Sequence, residues 1–343
     1  MSLKEKIKIE FSKYNNKTQY LRLLSLFIFS FLSVWIGIEF YYFINSINSY
    51  EFYPRPAGAD AYLPISSLMN VRYFLSFGDV HMAHPAGFFI IIAAIFVSLI
   101  FSKSFCSWVC PFGFLSELLI FIRKIFINKN FKIHPYFDLF LRSLKYLLLG
   151  FFIYVIFFSM TPTDIKKFLD SDYNKISDVK MFYFFADISK TALIVITILL
   201  ILSFLFNFFW CRYLCPYGAL MAIVGFISPF KIKRNDKTCT QCKKCGLSCP
   251  HYIKVDKKTT VISDDCSSCM LCVNSCPEKN TLELKSIKGS KLNTFIIFFA
   301  VILIFALFKY TAVIIGKWDN NLTQKDYKEL ILKKDVLSHP SSF

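Results

Sequence analysis

The sequence predicts an all-α polytopic membrane core of about five transmembrane helices, arranged as duplicated two-helix halves, plus a small α+β two-cluster ferredoxin module. Three observations support this fold class. The chain has 343 residues and is 55% hydrophobic, which is more apolar surface than a soluble domain of this length needs. Apolar stretches long enough to cross a ~30 Å hydrocarbon core recur along it. Two cysteine runs follow the fourth of these stretches.

Five apolar stretches are the predicted transmembrane helices, at residues 20–44, about 84–105, 141–160, 188–210 and 292–315. The formal charge is +17, and 33 of the 40 basic residues are lysine. Because these lysines cluster beside the apolar stretches, the pattern is the positive-inside pattern of a membrane protein, and nucleic acid is not an expected partner. No signal-peptide cleavage site follows the first stretch, so we expect it to be retained as a membrane anchor in the lipid bilayer.

The order of these features predicts the domain organisation. The predicted parts are a cytoplasmic N-terminus (1–19), a first membrane half (20–110), a cytoplasmic interfacial segment (111–140), a second membrane half (141–230), a two-[4Fe–4S] ferredoxin domain (235–285), a fifth transmembrane helix (292–315) and a polar C-terminal tail (316–343). We expect a multi-pass protein of the bacterial inner membrane. The ferredoxin domain should face the cytoplasm, where thiolates stay reduced, and the tail should face the periplasm.

The two cysteine runs carry the most specific motif. The first extends from Cys239 to Pro250 and the second from Cys266 to Pro277, and both have the spacing C-x2-C-x2-C-x3-C-P. In bacterial two-cluster ferredoxins, the first three cysteines of such a run bind one [4Fe–4S] cluster and the fourth binds the other cluster. The predicted ligands are Cys239, Cys242, Cys245 and Cys276 for cluster one, and Cys266, Cys269, Cys272 and Cys249 for cluster two.

A zinc ribbon and a disulfide framework are the alternatives for these eight cysteines. Zinc sites usually take four cysteines per ion as two separated pairs, which differs from two runs of four that each end in proline. The doubled spacing therefore favours iron–sulfur clusters.

Two further cysteine pairs lie at the ends of the second and fourth apolar stretches. Cys106 and Cys110 belong to one C-x3-C-P-[FY]-G motif, and Cys211 and Cys215 belong to another, 105 residues later. A spacing of four places both sulfurs of a pair on one helix face, and the proline is expected to end that helix. Duplicated membrane halves often place their working site at a common interface, so we expect these four residues, the cysteine quartet, to meet.

Three interpretations of the cysteine quartet remain open. The four thiols could hold a metal or a further cluster, since soft thiolates select Cu(I), zinc or iron–sulfur centres. They could cycle between dithiol and disulfide and so relay electrons. They could also be small buried hydrophobes that close the helix packing. The duplication of the motif with the same proline and glycine favours a functional role.

A candidate quinol site lies at the start of the second apolar stretch. His84 follows a loop that contains Arg55 and Asp60, and histidine is a suitable proton acceptor for quinol oxidation. The alternative is that His84 only caps the helix and that His81 faces water. The sequence contains no C-x2-C-H run and no phosphate-binding glycine loop, so c-type haem and nucleotides are not expected.

The paired spans, the two C-x3-C-P motifs and the doubled ferredoxin run together resemble the NapH type of membrane polyferredoxin, which is related to the CcoG and NosR membrane modules. Residues 55–69 and 84–87 are closer to its YccM-like branch. The resemblance implies an electron carrier, in the role of a quinol dehydrogenase component, that connects the quinone pool (quinol or menaquinol) with other respiratory electron-transfer subunits. A copper-handling reductase or assembly factor that uses the cysteine quartet, and a redox sensor, are the alternative functions.

Overall fold

The computed structural model describes residues 5, 7, 14, 16–127, 131, 133–287 and 289–337. Most of the predicted cytoplasmic N-terminus and the end of the predicted C-terminal tail lie outside these residues. The described chain is mainly helical and carries a small two-stranded sheet, which confirms the predicted fold class.

The regular elements follow one another with short connections. The helices are α1 (Lys17–Ser46), α2 (Pro64–Phe77), α3 (Pro85–Phe101), α4 (Pro111–Phe126), α5 (Pro135–Ile153), α6 (Pro162–Asp170), α7 (Ser177–Ala186), α8 (Lys190–Leu205), α9 (Pro216–Ile227), α10 (Thr294–Ile314) and α11 (Gln324–Leu332). Single α-helical turns lie at Phe105–Trp108, Asp172–Lys175, Lys244–Leu247 and Leu271–Asn274. Short 3₁₀ segments lie at Ala57–Tyr62 and Val255–Lys257, and π-helical segments at Tyr154–Ser159 and Trp210–Leu214. The strands are β1 (Phe230–Arg234) and β2 (Leu282–Ser286).

Three of the described helices are long and apolar enough to cross a membrane, namely α1, α5 with its π-helical end, and α10. Helices α7 and α8 meet this condition only together, and the chain bends by 83° between them. The described residues therefore provide three such helices, or four if the bent pair is one span, where the sequence predicts about five.

Helix α3 is the predicted second span, and it is shorter than expected. It ends at Phe101, because Ser102 has a left-handed backbone with φ of 61° that a helix cannot continue. Its 17 residues are apolar, and most of their side chains are buried inside the protein. A helix that is apolar on all sides is typical of a buried position.

The described chain forms two compact units, and each unit combines three separate chain segments. The first contains residues 1–31, 94–149 and 196–304, and the second contains 32–93, 150–195 and 305–343. All twelve cysteines belong to the first unit. The residues of the candidate quinol site belong to the second unit.

The small sheet of the first unit holds the two ends of the ferredoxin segment together. Strand β1 enters this segment and β2 leaves it, and they pair antiparallel, with Phe230 opposite Ser286 and Arg234 opposite Leu282. Lys233 also forms a bridge to Thr260 from the connection between the cysteine runs. The antiparallel pair β1–β2 therefore joins the start and the end of the segment that contains both cysteine runs, which agrees with the predicted α+β module.

The C-terminal segment of the second unit is packed against the protein, although the sequence predicts only a polar tail. Helix α11 starts at a capping box in which Thr323 and Asp326 satisfy each other's backbone N–H groups. The Tyr327 side chain is buried, and its ring packs edge-on against Phe43 at 4.9 Å. Tyr327 and Leu330 thus extend a core that includes residues of α1 and α7. The signal in the sequence was the Thr-x-x-Asp cap.

Candidate functional site

The two cysteine runs have the same backbone path. The second and fourth residues after the first cysteine are left-handed in both runs, at Gln241 and Lys243 and again at Ser268 and Met270. Non-glycine residues rarely adopt this conformation, and it persists where surrounding structure imposes it. A single helical turn follows in each run and carries the third cysteine.

The eight cysteines of the two runs line two small cavities, with four cysteines at each cavity. Each set combines three cysteines of one run with the fourth cysteine of the other run. The first cavity is lined by Cys239, Cys242, Cys245 and Cys276, and the second by Cys249, Cys266, Cys269 and Cys272. These are the same sets that the sequence predicts as the ligands of clusters one and two.

The surroundings of these sulfurs suit an anionic iron–sulfur centre. Backbone N–H groups donate to cysteine sulfurs, for example Lys244 to Cys242 and Ser268 to Cys266. Such donors stabilise the negative charge of thiolate ligands and of the inorganic sulfides. Burial raises the pKa of Cys266 to about 11, so binding of iron there must release a proton.

The two sets differ in their exposure to solvent. Cys242 of the first set is exposed, and Lys243 and Lys244 beside it are exposed as well. In the second set Cys272 is buried, and protein surrounds Cys266 and Cys269 densely. The first set therefore lies at the surface of the module, and the second lies inside the first unit.

The second set contacts both C-x3-C-P segments. From the first segment, the Ser107 hydroxyl donates to the carbonyl of Ser267, and Trp108 Nε1 donates to the carbonyl of Ser268 at 3.5 Å. From the second segment, Arg212 Nη1 donates to the carbonyl of His251 at 3.4 Å, and Asn207, four residues before Cys211, donates through Nδ2 to the carbonyl of Pro250 at 2.9 Å. The loops around the second set are thus fixed to both membrane motifs.

Charged side chains strengthen this attachment. Asp264 and Asp265 directly precede Cys266 and face a group of basic residues. The contacts are Lys145 Nζ to Asp264 Oδ2 (3.3 Å) and to Asp265 Oδ1 (3.2 Å), Arg212 Nε to Asp265 Oδ2 (3.4 Å), Arg142 to both carboxylates, and Lys103 Nζ to the carbonyl of Asp264 (3.1 Å). Because Lys145 and Asp265 are almost completely buried, these pairs fix one geometry.

The cysteine quartet lies where two helices begin. Cys106 is in the single turn Phe105–Trp108, and Cys110 is the N-cap of α4. Cys211 is in the π-helical segment before α9, and Cys215 is the N-cap of α9. The expectation that the prolines end a helix was therefore incomplete, because Pro111 and Pro216 each open the next helix at its first position, where proline is favoured.

The two motifs of the quartet approach each other, since Cys106 and Cys211 line one cavity and Ser116 of α4 lies 3.8 Å from Cys211 Sγ. Their sulfurs interact electrostatically with one another, and burial raises the pKa of Cys106 to about 11 and that of Cys211 to about 12. Each sulfur keeps some accessible surface although protein surrounds it densely. Among the described residues, no three histidine, cysteine or acidic side chains converge on a single ion, and this is also true of the ferredoxin sets. A cubane distributes its ligands over four irons and so requires a wider cage than one ion.

The glycine of each motif allows close approach of the cysteine backbone. A Cβ on Gly113 would lie 2.0 Å from the carbonyl oxygen of Cys106, and one on Gly218 would lie 3.2 Å from that of Cys211. We expect Gly113→Ala to lower the free energy of unfolding by about 1–3 kcal/mol through overpacking, and Gly218→Ala to cost less. Gly150→Ala is the control, because its Cβ would meet nothing within 4 Å. Unfolding of the detergent-solubilised protein measures this, and equal stability of all three variants would contradict it.

The structure also brings together the residues of the candidate quinol site. Arg55 pairs with Asp60 and, at 2.5 Å, with Asp178. His84 Nδ1 lies 2.9 Å from Asp60 Oδ1, and His84 Nε2 lies 2.6 Å from the carbonyl oxygen of Asn174. The ionisable side chains are buried, so this is a closed charge cluster inside the second unit.

The contacts of His84 favour a protonated ring. Its Nε2 donates to the carbonyl of Asn174, and its Nδ1 lies nearer to the acceptor Asp60 Oδ1 (2.9 Å) than to the donor Arg55 Nη2 (3.2 Å). Burial alone would lower the pKa of His84, but Asp60 outweighs burial and the pKa is raised. Burial would likewise raise the pKa of Asp60, but Arg55 and His84 together lower it. His84 is therefore more than a helix cap.

His81 does not face water alone, contrary to the alternative drawn from the sequence. Its Nε2 lies 3.0 Å from Asp170 Oδ1, and its ring packs edge-on against Tyr73 at 5.1 Å. Sequence reasoning missed this pair and the partner Asp178 of Arg55. The one available signal was the presence of five aspartates in residues 161–187, which by itself indicates only the orientation of this loop.

Comparisons with known proteins agree with this geometry. A family model described as a 4Fe-4S binding domain matches residues 83–132 and again residues 190–235. A second model, described as a 4Fe-4S dicluster domain, matches residues 231–279. The first model thus covers each C-x3-C-P segment once, and the second covers both ferredoxin runs. No solved structure matches the chain.

Three relatives show the extent of the similarity. YccM of Escherichia coli (strain K12), which is named as an electron transport protein, is 36% identical over 342 residues, and the match covers 97% of this chain and 95% of YccM. The ferredoxin-type protein NapH of Haemophilus influenzae is 28% identical over 55% of this chain and 64% of its own length. The methylamine utilization ferredoxin-type protein MauN of Paracoccus denitrificans is 26% identical over 56% of this chain and 65% of its own length. The chain therefore belongs to the family of ferredoxin-type 4Fe-4S membrane electron transport proteins that includes YccM and NapH.

Proposed function

We propose that the protein passes electrons between the quinone pool and a respiratory redox partner through two [4Fe–4S] clusters in the bacterial inner membrane. Cluster one is bound by Cys239, Cys242, Cys245 and Cys276, and cluster two by Cys249, Cys266, Cys269 and Cys272. The observation that supports this assignment is the sorting of the eight cysteines around two cavities, with the fourth cysteine of each run crossing to the other set.

The clusters would supply one-electron carriers, which can divide the two-electron oxidation of a quinol into single steps. The contacts of the two cysteine sets suggest the order in which electrons would pass through the two clusters. Ser107, Trp108 and Asn207 hold the cluster-two loops against the membrane motifs. Exposed Cys242 presents cluster one to solvent, where a partner subunit can approach. We therefore propose that cluster two exchanges electrons with the membrane side and cluster one with the partner.

We also propose that His84, Arg55 and Asp60 form the proton site for quinone chemistry. The support is that the chain collects these ionisable groups in one buried cluster whose charge balance changes with a single proton. The protonated His84 ring donates from Nδ1 to Asp60 and from Nε2 to the carbonyl of Asn174, and Arg55 keeps Asp60 ionised. Ser177, whose hydroxyl lies 3.1 Å from His84 Nε2, is a second group through which a proton can leave.

The test uses the full chain, purified anaerobically in detergent. We expect iron and acid-labile sulfide, and electron paramagnetic resonance signals that appear on reduction by a menaquinol analogue as well as by dithionite. A His84→Gln variant should keep the dithionite-reduced signals and lose rate with the quinol analogue, whereas His134→Gln, in a connecting loop, should keep both. Protein that holds no iron, or clusters that dithionite reduces and quinol does not, would refute the proposal.

A further inference from the structure

We propose that the cysteine quartet holds a third iron–sulfur cluster, shared between the two repeated membrane motifs and adjacent to cluster two. The proposal rests on the proposed electron-transfer function, because it extends the same series of carriers. It selects one of the three interpretations that the sequence left open.

Each repeated segment contains too few cysteines to bind a [4Fe–4S] cluster alone, so the two segments would have to share one cluster. The model described as a 4Fe-4S binding domain matches residues 83–132 and 190–235, yet each of these segments contains only two cysteines. A [4Fe–4S] cluster bound by thiolates takes four. Neither segment can complete such a site alone, whereas the structure places Cys106 and Cys211 on the wall of one cavity, and Ser116 of α4, the helix that Cys110 caps, lies 3.8 Å from Cys211 Sγ.

The backbone around the quartet offers the same kind of donor as the ferredoxin loops. The N–H of Gly218 donates to Cys215 Sγ at 3.3 Å. Cys110 and Cys215 cap the N-termini of long helices, α4 and α9, whose dipoles favour negative charge at that end. A cluster with four thiolate ligands carries a net negative charge. The N–H donor and the helix dipoles at the quartet would stabilise such a charge.

The charge balance around the quartet also indicates an anionic centre. Lys103 interacts electrostatically with Cys106, Cys211 and Cys215 and is almost completely buried. Among the described residues no carboxylate oxygen lies within ion-pair distance of the Lys103 ammonium, which donates to the main-chain carbonyl of Asp264 at 3.1 Å, although the Asp265 carboxylate interacts with it electrostatically. A buried ammonium is costly without an opposite charge. In the surrounding network the four cations Lys103, Arg142, Lys145 and Arg212 face only the three carboxylates of Asp138, Asp264 and Asp265.

A cavity of about 490 Å³ connects the quartet with cluster two. Its wall includes Cys106 and Cys211 of the quartet, Cys269 of cluster two, and the basic side chains of Lys103 and Arg212. The two centres therefore border the same cavity and are not separated by a packed layer of protein.

Iron and sulfide content of the anaerobically purified full chain tests the proposal. We expect about twelve irons and about twelve acid-labile sulfides per chain, against about eight of each for the ferredoxin module alone. The double variant Cys106→Ala/Cys211→Ala should fall to about eight and keep both ferredoxin resonance signals. Ser116→Ala is the matched control, since the Ser116 hydroxyl lies 3.8 Å from Cys211 Sγ but is not a proposed ligand, and it should keep about twelve.

The outcomes separate this proposal from the proposed function. Wild-type protein with about eight irons and four further titratable thiols overturns the third cluster and leaves the two ferredoxin clusters in place. Copper bound in proportion to the quartet cysteines also overturns it, in favour of a copper-handling site. Protein without any iron overturns the function itself. If the double variant fails to fold, the wild-type iron content still decides.

Discussion

Asp60→Asn should lower the free energy of unfolding by about 3–5 kcal/mol, as expected when one member of a buried charge cluster is removed. In the native cluster the cations Arg55 and His84 face the anions Asp60 and Asp178, so the charges balance. The substitution preserves the size of the side chain and removes one negative charge. Burial then lowers the pKa of His84, whose ring loses its proton, and Arg55 keeps only one of its two carboxylate partners, Asp178.

Asp79→Asn is the matched control for this prediction. Asp79 is 63% exposed and pairs with Lys317 at 3.0 Å, and such surface pairs contribute about 0–1 kcal/mol. Its Oδ1 accepts from the N–H of Val80, a contact that asparagine retains. Equilibrium unfolding in mixed detergent micelles, followed by tryptophan fluorescence, gives both values. A cost below about 1 kcal/mol for Asp60→Asn would show that the cluster is solvated or already neutral.

Removing cluster two should disconnect cluster one from quinol. We expect Cys272→Ala to abolish reduction of cluster one by a menaquinol analogue, while dithionite still reduces it from solution. The reason is the order of the carriers, since the loops of cluster two contact both membrane motifs and cluster one lies at the surface of the module. Stopped-flow reduction combined with resonance spectroscopy of the cluster-one signal measures the effect.

Cys245→Ala provides the comparison for this second prediction. Cys245 and Cys272 are the third cysteines of their runs and are buried to a similar degree, at 9% and 8% exposure. Cys245→Ala should remove cluster one and leave quinol reduction of cluster two at the wild-type rate. If instead quinol reduces cluster one normally in Cys272→Ala, the proposed order of the carriers is wrong.

Local spacing in the sequence predicted a large part of this structure. The ferredoxin runs and the apolar helices α1 and α10 depend on residues close together in the chain. The grouping of the cysteines into two sets of four also followed from spacing, because the fourth cysteine of a run lies too far along to close its own cage.

The contacts that the sequence did not predict join residues far apart in the chain. Ser107 and Trp108 bind the carbonyls of Ser267 and Ser268 about 160 residues away, and no periodic pattern marks such a pair. Tyr327 reaches Phe43 from the opposite end of the chain. The early end of α3 depends on one left-handed serine, whose conformation composition does not reveal.

The construction of each unit from three separate segments has a consequence for biogenesis. The first unit requires residues 1–31 and residues up to 304, and the second requires residues from 32 onwards and the C-terminal helix. A ribosome must therefore synthesise nearly the whole chain before either unit can close. During translation the early helices enter the bilayer before all of their final neighbours are made, whereas the cysteine loops emerge after Ser107, Lys145 and Asn207, the residues that hold them. The partners of the cysteine loops are thus already present when the loops emerge, so docking of the loops does not have to wait for the end of synthesis.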